Sequence, residues 1–115
     1  MDDIIFALKI VRHLKSNAIV LCYNKQTVGI GSGQTNRIGS LEIAIKNFKM
    51  YFKNIKFVCA SDGFFPFNDG LMILKKNKCK IIAQPSGSKN DDKAKIFSEK
   101  NKISLFFIES RLFKH

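Results

Sequence analysis

Apolar positions repeat along this chain in two alternating rhythms. Residues 3–14 carry Ile4, Phe6, Leu8, Val11 and Leu14 and predict a helix. The run AIVLCY (18–23) is almost continuously apolar, as a strand buried on both faces would be. YNKQ reads as a hairpin turn into a second strand, TVGIG (27–31). From Ser40 to about Phe52, the residues Leu41, Ala44, Ile45, Phe48 and Phe52 follow the i, i+3, i+4, i+7, i+11 spacing of one helix face, with Ser40 as the expected N-cap. Strands follow at 56–60, 79–83 and 103–108. They alternate with helices from Asp69 to about Lys76 and from Asp91 to about Lys100, the latter capped by Asn90 or Asp91. The predicted order is α-β-β-α-β-α-β-α-β. It implies one α/β domain over 1–115, a three-layer sandwich whose mixed, mostly parallel sheet has helices on both faces.

In a sheet of this kind ligands gather outside the carboxyl ends of the strands. Four loops are expected there: GSGQTNR after 27–31, SDGFFPFND after 56–60, QPSGSKNDD after 79–83 and ESRLFKH after 103–108. The glycines of GIGSGQTNR suit either a flexible turn or close backbone approach to a ligand. PSGS reads equally as an ordinary turn or as a nest of amides for an anion. In SDGFFPFND, Pro66 removes a backbone donor among three rings. Phe64, Phe65 and Phe67 either pack in the core or stack on a planar ligand, and core packing is expected of at least one. Asp62 and Asp69 are a weakly signalled carboxylate pair, and Asp69 equally suits a helix cap.

Composition adjusts this picture little. An apolar fraction of 45% in 115 residues fits one modest core. No apolar run is long enough to span a bilayer, and the acidic start is the wrong order for a secretory signal, so a cytoplasmic protein is expected. The formal charge is +11, with 17 lysines among the 20 basic residues. Abundant Lys, Asn, Ile and Phe are what AT-rich codons produce. The lysines are scattered along the chain, and nucleic-acid binding is the least favoured reading. Against that background Arg37 and Arg111 stand out as positions that need a planar fork. The cysteines, Cys22, Cys59 and Cys79, are expected to be buried free thiols. No metal-ligand spacing is present.

Taken together, LKSNAIVL (14–21), GIGSGQTNR (29–37), SDGFFPFND (61–69) and QPSGSKNDD…ESRLFKH (84–115) resemble the carboxyl-terminal part of the AICAR formyltransferase/IMP cyclohydrolase family. The order and spacing match over essentially the whole chain. The resemblance implies a cytidine-deaminase-like sandwich without the deaminase zinc. It also implies transfer of a formyl group from 10-formyltetrahydrofolate to the 5-amino group of AICAR, in a homodimer with sites near the subunit interface. Asn17 would contact the reacting region and serve as the catalytic donor in this chain. Arg37 and Arg111 would bind AICAR, Arg37 across the dimer interface. Phe64, Phe65, Pro66 and Phe67 would line the AICAR and folate pocket, Asp69 would lie near the folate, and His115 would close the chain near the site. The family's catalytic lysine–histidine pair and its cyclohydrolase domain are not among these residues. Asn68 stands where the family usually has Arg, and Gly63 where it usually has Ala. The chain is therefore expected to be a fragment, one piece of a split enzyme acting with the missing half, or a non-catalytic remnant that keeps the fold.

Overall fold

Two glycines on one strand let a helix lie directly on the sheet. In the computed structural model, which describes residues 2–65 and 68–109, strand β2 (Gln26–Gly31) packs under helix α2 (Arg37–Tyr51). A Cβ on Gly29 would come within 2.3 Å of the Ala44 carbonyl oxygen, and one on Gly31 within 1.8 Å of the Ser40 carbonyl oxygen. These glycines therefore serve helix packing and not approach to a ligand.

Strand β1 (Ile19–Tyr23) precedes β2 in an antiparallel hairpin. Its turn holds Asn24 at φ 53° and Lys25 at φ 56°, the pattern of a type I′ connection. Both turn amides donate to the Asp3 carboxylate, at 2.9 and 2.8 Å. Asp3 lies on α1 (Asp2–Val11), so the first helix is pinned to the hairpin.

Strands β3 (Val58–Ser61), β4 (Ile81–Pro85) and β5 (Ser104–Ile108) complete a five-stranded sheet of order β2-β1-β3-β4-β5. β1 pairs antiparallel with both β2 and β3, whereas β3, β4 and β5 are mutually parallel. Helices α3 (Asp69–Lys76) and α4 (Asp91–Lys100) are the crossovers of the parallel half. The predicted order of elements is thus the observed one, in an α/β fold with a mixed sheet.

Alternation along the strands divides the core between the two faces. Val20, Cys22, Val58, Ala60 and Ala83 pack with Ile4, Ala7 and Val11 of α1. Ile19, Leu21, Cys59 and Ile82 pack with residues of α2, α3 and α4. The three cysteines are buried and free. Burial pushes the Cys59 and Cys79 thiols up, and it raises Cys22 to about 12 with a further push from Asp3. No helix among the described residues is long and apolar enough to cross a membrane.

Several boundaries differ from the periodicity. α1 stops at Val11 because the next turn tightens: the His13 amide donates to Ile10 and the Leu14 amide to Val11. α2 begins at Arg37, three residues before the expected cap. Asn36 caps it by accepting from the Gly39 amide at 2.6 Å, and Ser40 is a buried residue inside the helix. Asp69 is the first residue of α3 and follows Asn68, which occupies the cap position with no side-chain capping bond. Asn90 likewise precedes α4 without such a bond, and Asp91 reaches back to accept from the Gly87 and Ser88 amides at 2.8 and 3.2 Å. These two amides of the PSGS segment are therefore taken by the chain's own carboxylate.

The approach of α2 to β2 generates a prediction. Gly31→Ala must separate helix from strand, because the obstructing atoms are backbone. We expect a loss of about 1–3 kcal/mol, typical of overpacking, read as a lower urea midpoint at unchanged slope.

Candidate functional site

The direction of β1 gathers the site. β2, β3, β4 and β5 all run the same way, so their carboxyl ends open on one rim, and the antiparallel β1 enters the sheet at that rim. The segment Lys15-Ser16-Asn17 therefore meets the loop after β2, the start of α2 and the SDGFF turn after β3. Two of the four predicted loops, those after β2 and β3, meet there and the lead-in to β1 joins them, whereas residues 110–115 of the last loop lie outside the described residues.

Asp62 is the hub. Its side chain is 6% exposed and that of its ion-pair partner Arg37 is 17% exposed. Arg37 Nη2 donates to Asp62 Oδ1 at 2.9 Å and to Asn17 Oδ1 at 2.7 Å, and Nη1 donates to the Phe64 carbonyl at 3.4 Å. The Ala18 amide donates to Asp62 Oδ1 at 3.0 Å, and the Ser16 hydroxyl donates to Oδ2. Burial alone would push the Asp62 carboxyl up. The bonds from Ser16, Ala18 and Arg37, together with the guanidinium charge, outweigh it and hold the group below its usual range.

Asn17 is fixed by its neighbours. Its Nδ2 donates to the Gln34 carbonyl at 3.0 Å, its own amide donates to the same oxygen at 3.2 Å, and its carbonyl accepts from Ser40 Oγ at 2.6 Å. The peptide between Ser16 and Asn17 is cis. Since an amide nitrogen carries two hydrogens, Asn17 keeps one N–H beyond the bond to Gln34. Arg37 Nε is buried without a protein partner. The guanidinium lies flat on Gly63, where an added Cβ would stand 2.5–2.8 Å from its terminal atoms. An alanine there, the residue expected from the family pattern, would push the guanidinium away from this position.

The structure thus brings Asn17 and Arg37 together, with Phe64 beside them. The Phe64 side chain is partly open to solvent, at 38%. Phe65 is instead a core residue. It is 4% exposed, and its ring fills the space left by Gly70, where an added Cβ would be 2.4 Å away. A ring so placed packs α3 and does not present a face to a ligand. Asp69 is exposed at the start of α3, whereas Asp62 is turned inward onto Arg37 and Ser16, so the two do not share one polar cluster. Pro66, Phe67, Arg111 and His115 lie outside the described residues. Among the described residues no group of three His, Cys, Asp or Glu side chains could hold a metal ion.

Sequence reasoning noticed Asp62 but did not join it to Arg37, and it missed Ser16, Gln34 and Ser40. The available signal was the position of Asp62 just after a buried strand, together with a single arginine among lysines at the opposite loop. What periodicity and the hairpin turn could not supply was that β1 lies between β2 and β3.

Comparison with known proteins agrees with the motif reading at family level. The family described as AICARFT/IMPCHase bienzyme matches residues 1–47. The chain is 47% identical over 113 residues to the bifunctional purine biosynthesis protein PurH of Fusobacterium nucleatum, a match covering 98% of this chain and 22% of that protein. It is 44% identical, over its full length, to the PurH proteins of Natranaerobius thermophilus and of Buchnera aphidicola, again covering 22% of each. The chain thus spans about a fifth of the length of the curated relatives it matches. A Thermotoga maritima protein titled diaminohydroxyphosphoribosylaminopyrimidine deaminase/5-amino-6-(5-phosphoribosylamino)uracil reductase has a similar structure, with a TM-score of 0.58 at 11% identity. The likeness covers 92% of this chain and 34% of that one. It shows a shared fold, consistent with a deaminase-like sandwich.

The hub generates a prediction with a defined pH dependence. A carboxyl held below its ordinary value of 3.8 contributes stability that is fully present above that value and is lost as pH falls through the lower, folded one. Asp62→Asn should therefore cost about 1.5–3 kcal/mol at neutral pH, the range for hydrogen bonds to charged groups. The gap between wild type and variant should close as pH drops below 3.8. Urea unfolding across pH 2.5–7 measures it, and a gap that stays constant with pH would show that Asp62 is not held as a carboxylate.

Proposed function

We propose that this chain is a segment of an AICARFT/IMPCHase bienzyme and serves its formyltransferase activity. In this reading it acts with the remainder of the bienzyme, as a homodimer, on AICAR and 10-formyltetrahydrofolate in purine biosynthesis. The observation that carries the reading is the cluster of Asn17, Arg37 and Asp62 at the sheet rim. The first two are the residues that the motifs assign to substrate, and they are held in one hydrogen-bonded group. The deaminase-like fold and the similarity to PurH proteins support it.

Formyl transfer forms a bond between the AICAR amine nitrogen and the formyl carbon and breaks the bond from that carbon to the folate nitrogen. Between the two steps the carbonyl oxygen carries negative charge, and the amine must lose a proton. The chain's part is electrostatic and positional. The remaining N–H of Asn17 is a fixed donor for the developing oxyanion. Asp62 and the Phe64 carbonyl hold the guanidinium of Arg37 against Asn17, and by motif position Arg37 contacts AICAR. The half-open Phe64 ring offers a face to a planar ligand. By motif position, Pro66 and Phe67 continue this wall, Asp69 lies near the folate, and Arg111 and His115 complete the substrate contacts. Proton transfer belongs to the lysine–histidine pair that the family resemblance places outside these residues.

Reconstitution tests the reading. The chain is co-expressed with a polypeptide carrying the rest of a PurH relative, and two reactions are followed separately: formyl-AICAR from AICAR and 10-formyltetrahydrofolate, and IMP from formyl-AICAR. Formylation should require the chain. In the reconstituted pair Asn17→Ala should lower kcat by about 100-fold or more, the effect of losing one oxyanion donor, with cyclisation untouched. Dependence of cyclisation alone on the chain would assign the segment to the cyclohydrolase. Independence of both reactions would leave a remnant that keeps the fold without catalysis.

A further inference from the structure

Lysines that are scattered along the sequence are gathered by the fold. Helices α2 and α3 lie on the same face of the sheet, and two adjoining grooves run between them, of about 580 and 390 Å³. Lys46, Lys49 and Lys76 line the first, and Lys49, Lys53, Lys76 and Lys78 line the second. Lys49 and Lys76 are common to both, so the two form one continuous channel. Glu42 is the one carboxylate among the described lining residues. Each of these helices starts near the rim that carries the Asn17–Arg37–Asp62 cluster and ends away from it. All five lysines belong to the far halves of the helices or to the turns that follow, so the channel is no extension of that cluster.

The channel has an apolar floor as well as basic walls. Ile45, Met50 and Ile73 contribute to the first groove and Phe52 to the second. Phe48 lines the second groove too, its ring stacked on Phe52 at 6.0 Å between centroids. At the mouth, Lys78 Nζ donates to Asn54 Oδ1 at 3.3 Å and ties together the turns after α2 and α3. Five ammonium groups with almost no compensating carboxylate repel one another, and an occupant with regularly spaced negative charge relieves that repulsion. Aromatic rings beside the charges favour a polyanion that also carries flat, stackable groups. Lysine without arginine supplies point charges for phosphate but no bidentate fork for reading base edges.

We propose that the channel between α2 and α3 binds single-stranded nucleic acid without sequence preference. Lys46, Lys49, Lys53, Lys76 and Lys78 contact phosphates, and the half-buried Phe52 stacks on a base. This goes beyond the enzymatic reading and does not depend on it.

The salt dependence of binding decides the matter. With a fluorescein-labelled oligothymidylate and the full chain, five phosphate contacts at about −0.7 each predict a log–log slope of about −3.5. Lys49→Gln with Lys76→Gln should flatten the slope by about 1.4. Taken over the decade below 1 M, that is about 25-fold weaker binding at 0.1 M salt. Phe52→Ala should weaken binding about fivefold or more, the loss of one stacked base. A control pair on other surfaces, Lys9→Gln with Lys93→Gln, should leave the slope unchanged, and circular dichroism confirms that each variant is folded. A slope near zero, or an equal effect from the control pair, would overturn the proposal in favour of unspecific attraction by net charge. Displacement of the oligothymidylate by an equimolar polyglutamate peptide of the same length would overturn it in favour of an acidic polypeptide.

Discussion

A single buried carboxylate ties together the parts of this protein that sequence keeps furthest apart. Asp62 directly follows the first strand of the parallel half. Through it the lead-in to β1 (Ser16 and the Ala18 amide) is bonded to the first residue of α2 (Arg37). The hub works because its charge is compensated: a carboxylate this enclosed is tolerable when it is paired and hydrogen-bonded, and Asp62 has the guanidinium of Arg37 with the Ala18 amide and the Ser16 hydroxyl. The backbone joins the same knot, since the Asp62 amide donates to Ala18 and Ser40 Oγ donates to Asn17. Rigidity at the rim is therefore bought with hydrogen bonds. The surrounding elements are held by ordinary packing of Ile19, Leu21, Cys59 and Leu41.

Much of the architecture was legible because it rests on local rules. Buried strands read as apolar runs, the 41-44-45-48 stripe is the face of α2 that contacts the core, and the Asn24–Lys25 turn announces a hairpin. The failures have a common origin in long-range geometry. Gly29 and Gly31 look the same in sequence whether a ligand or a helix approaches them, and here the helix does. Ser40 looks like a cap, yet Asn36 takes that role and frees the Ser40 hydroxyl to hold Asn17. Phe64 and Phe65 are adjacent and chemically identical, but the missing side chain at Gly70 admits only the second.

The candidate site was legible in parts. The rarity of arginine marked Arg37, and the loop rule marked its neighbourhood. The bonds that join Arg37 to Asn17 and Asp62 were not marked, because no spacing in the chain relates residues 17, 37 and 62. The same limit applies to charge. A count of lysines describes the whole surface, whereas the channel between α2 and α3 arises only when two helices far apart in sequence are laid side by side.

The reversed direction of β1 has a thermodynamic meaning. Asn17 reaches the rim only because β1 is zipped between β2 and β3, and Arg37 and Asp62 flank those two strands. No subset of consecutive elements contains the cluster without also containing the middle of the sheet. Assembly of the polar group and closure of the sheet are therefore a single cooperative event. A ligand that recognises the cluster would report on global folding as faithfully as a core probe does, and a partly folded chain would be blind to it.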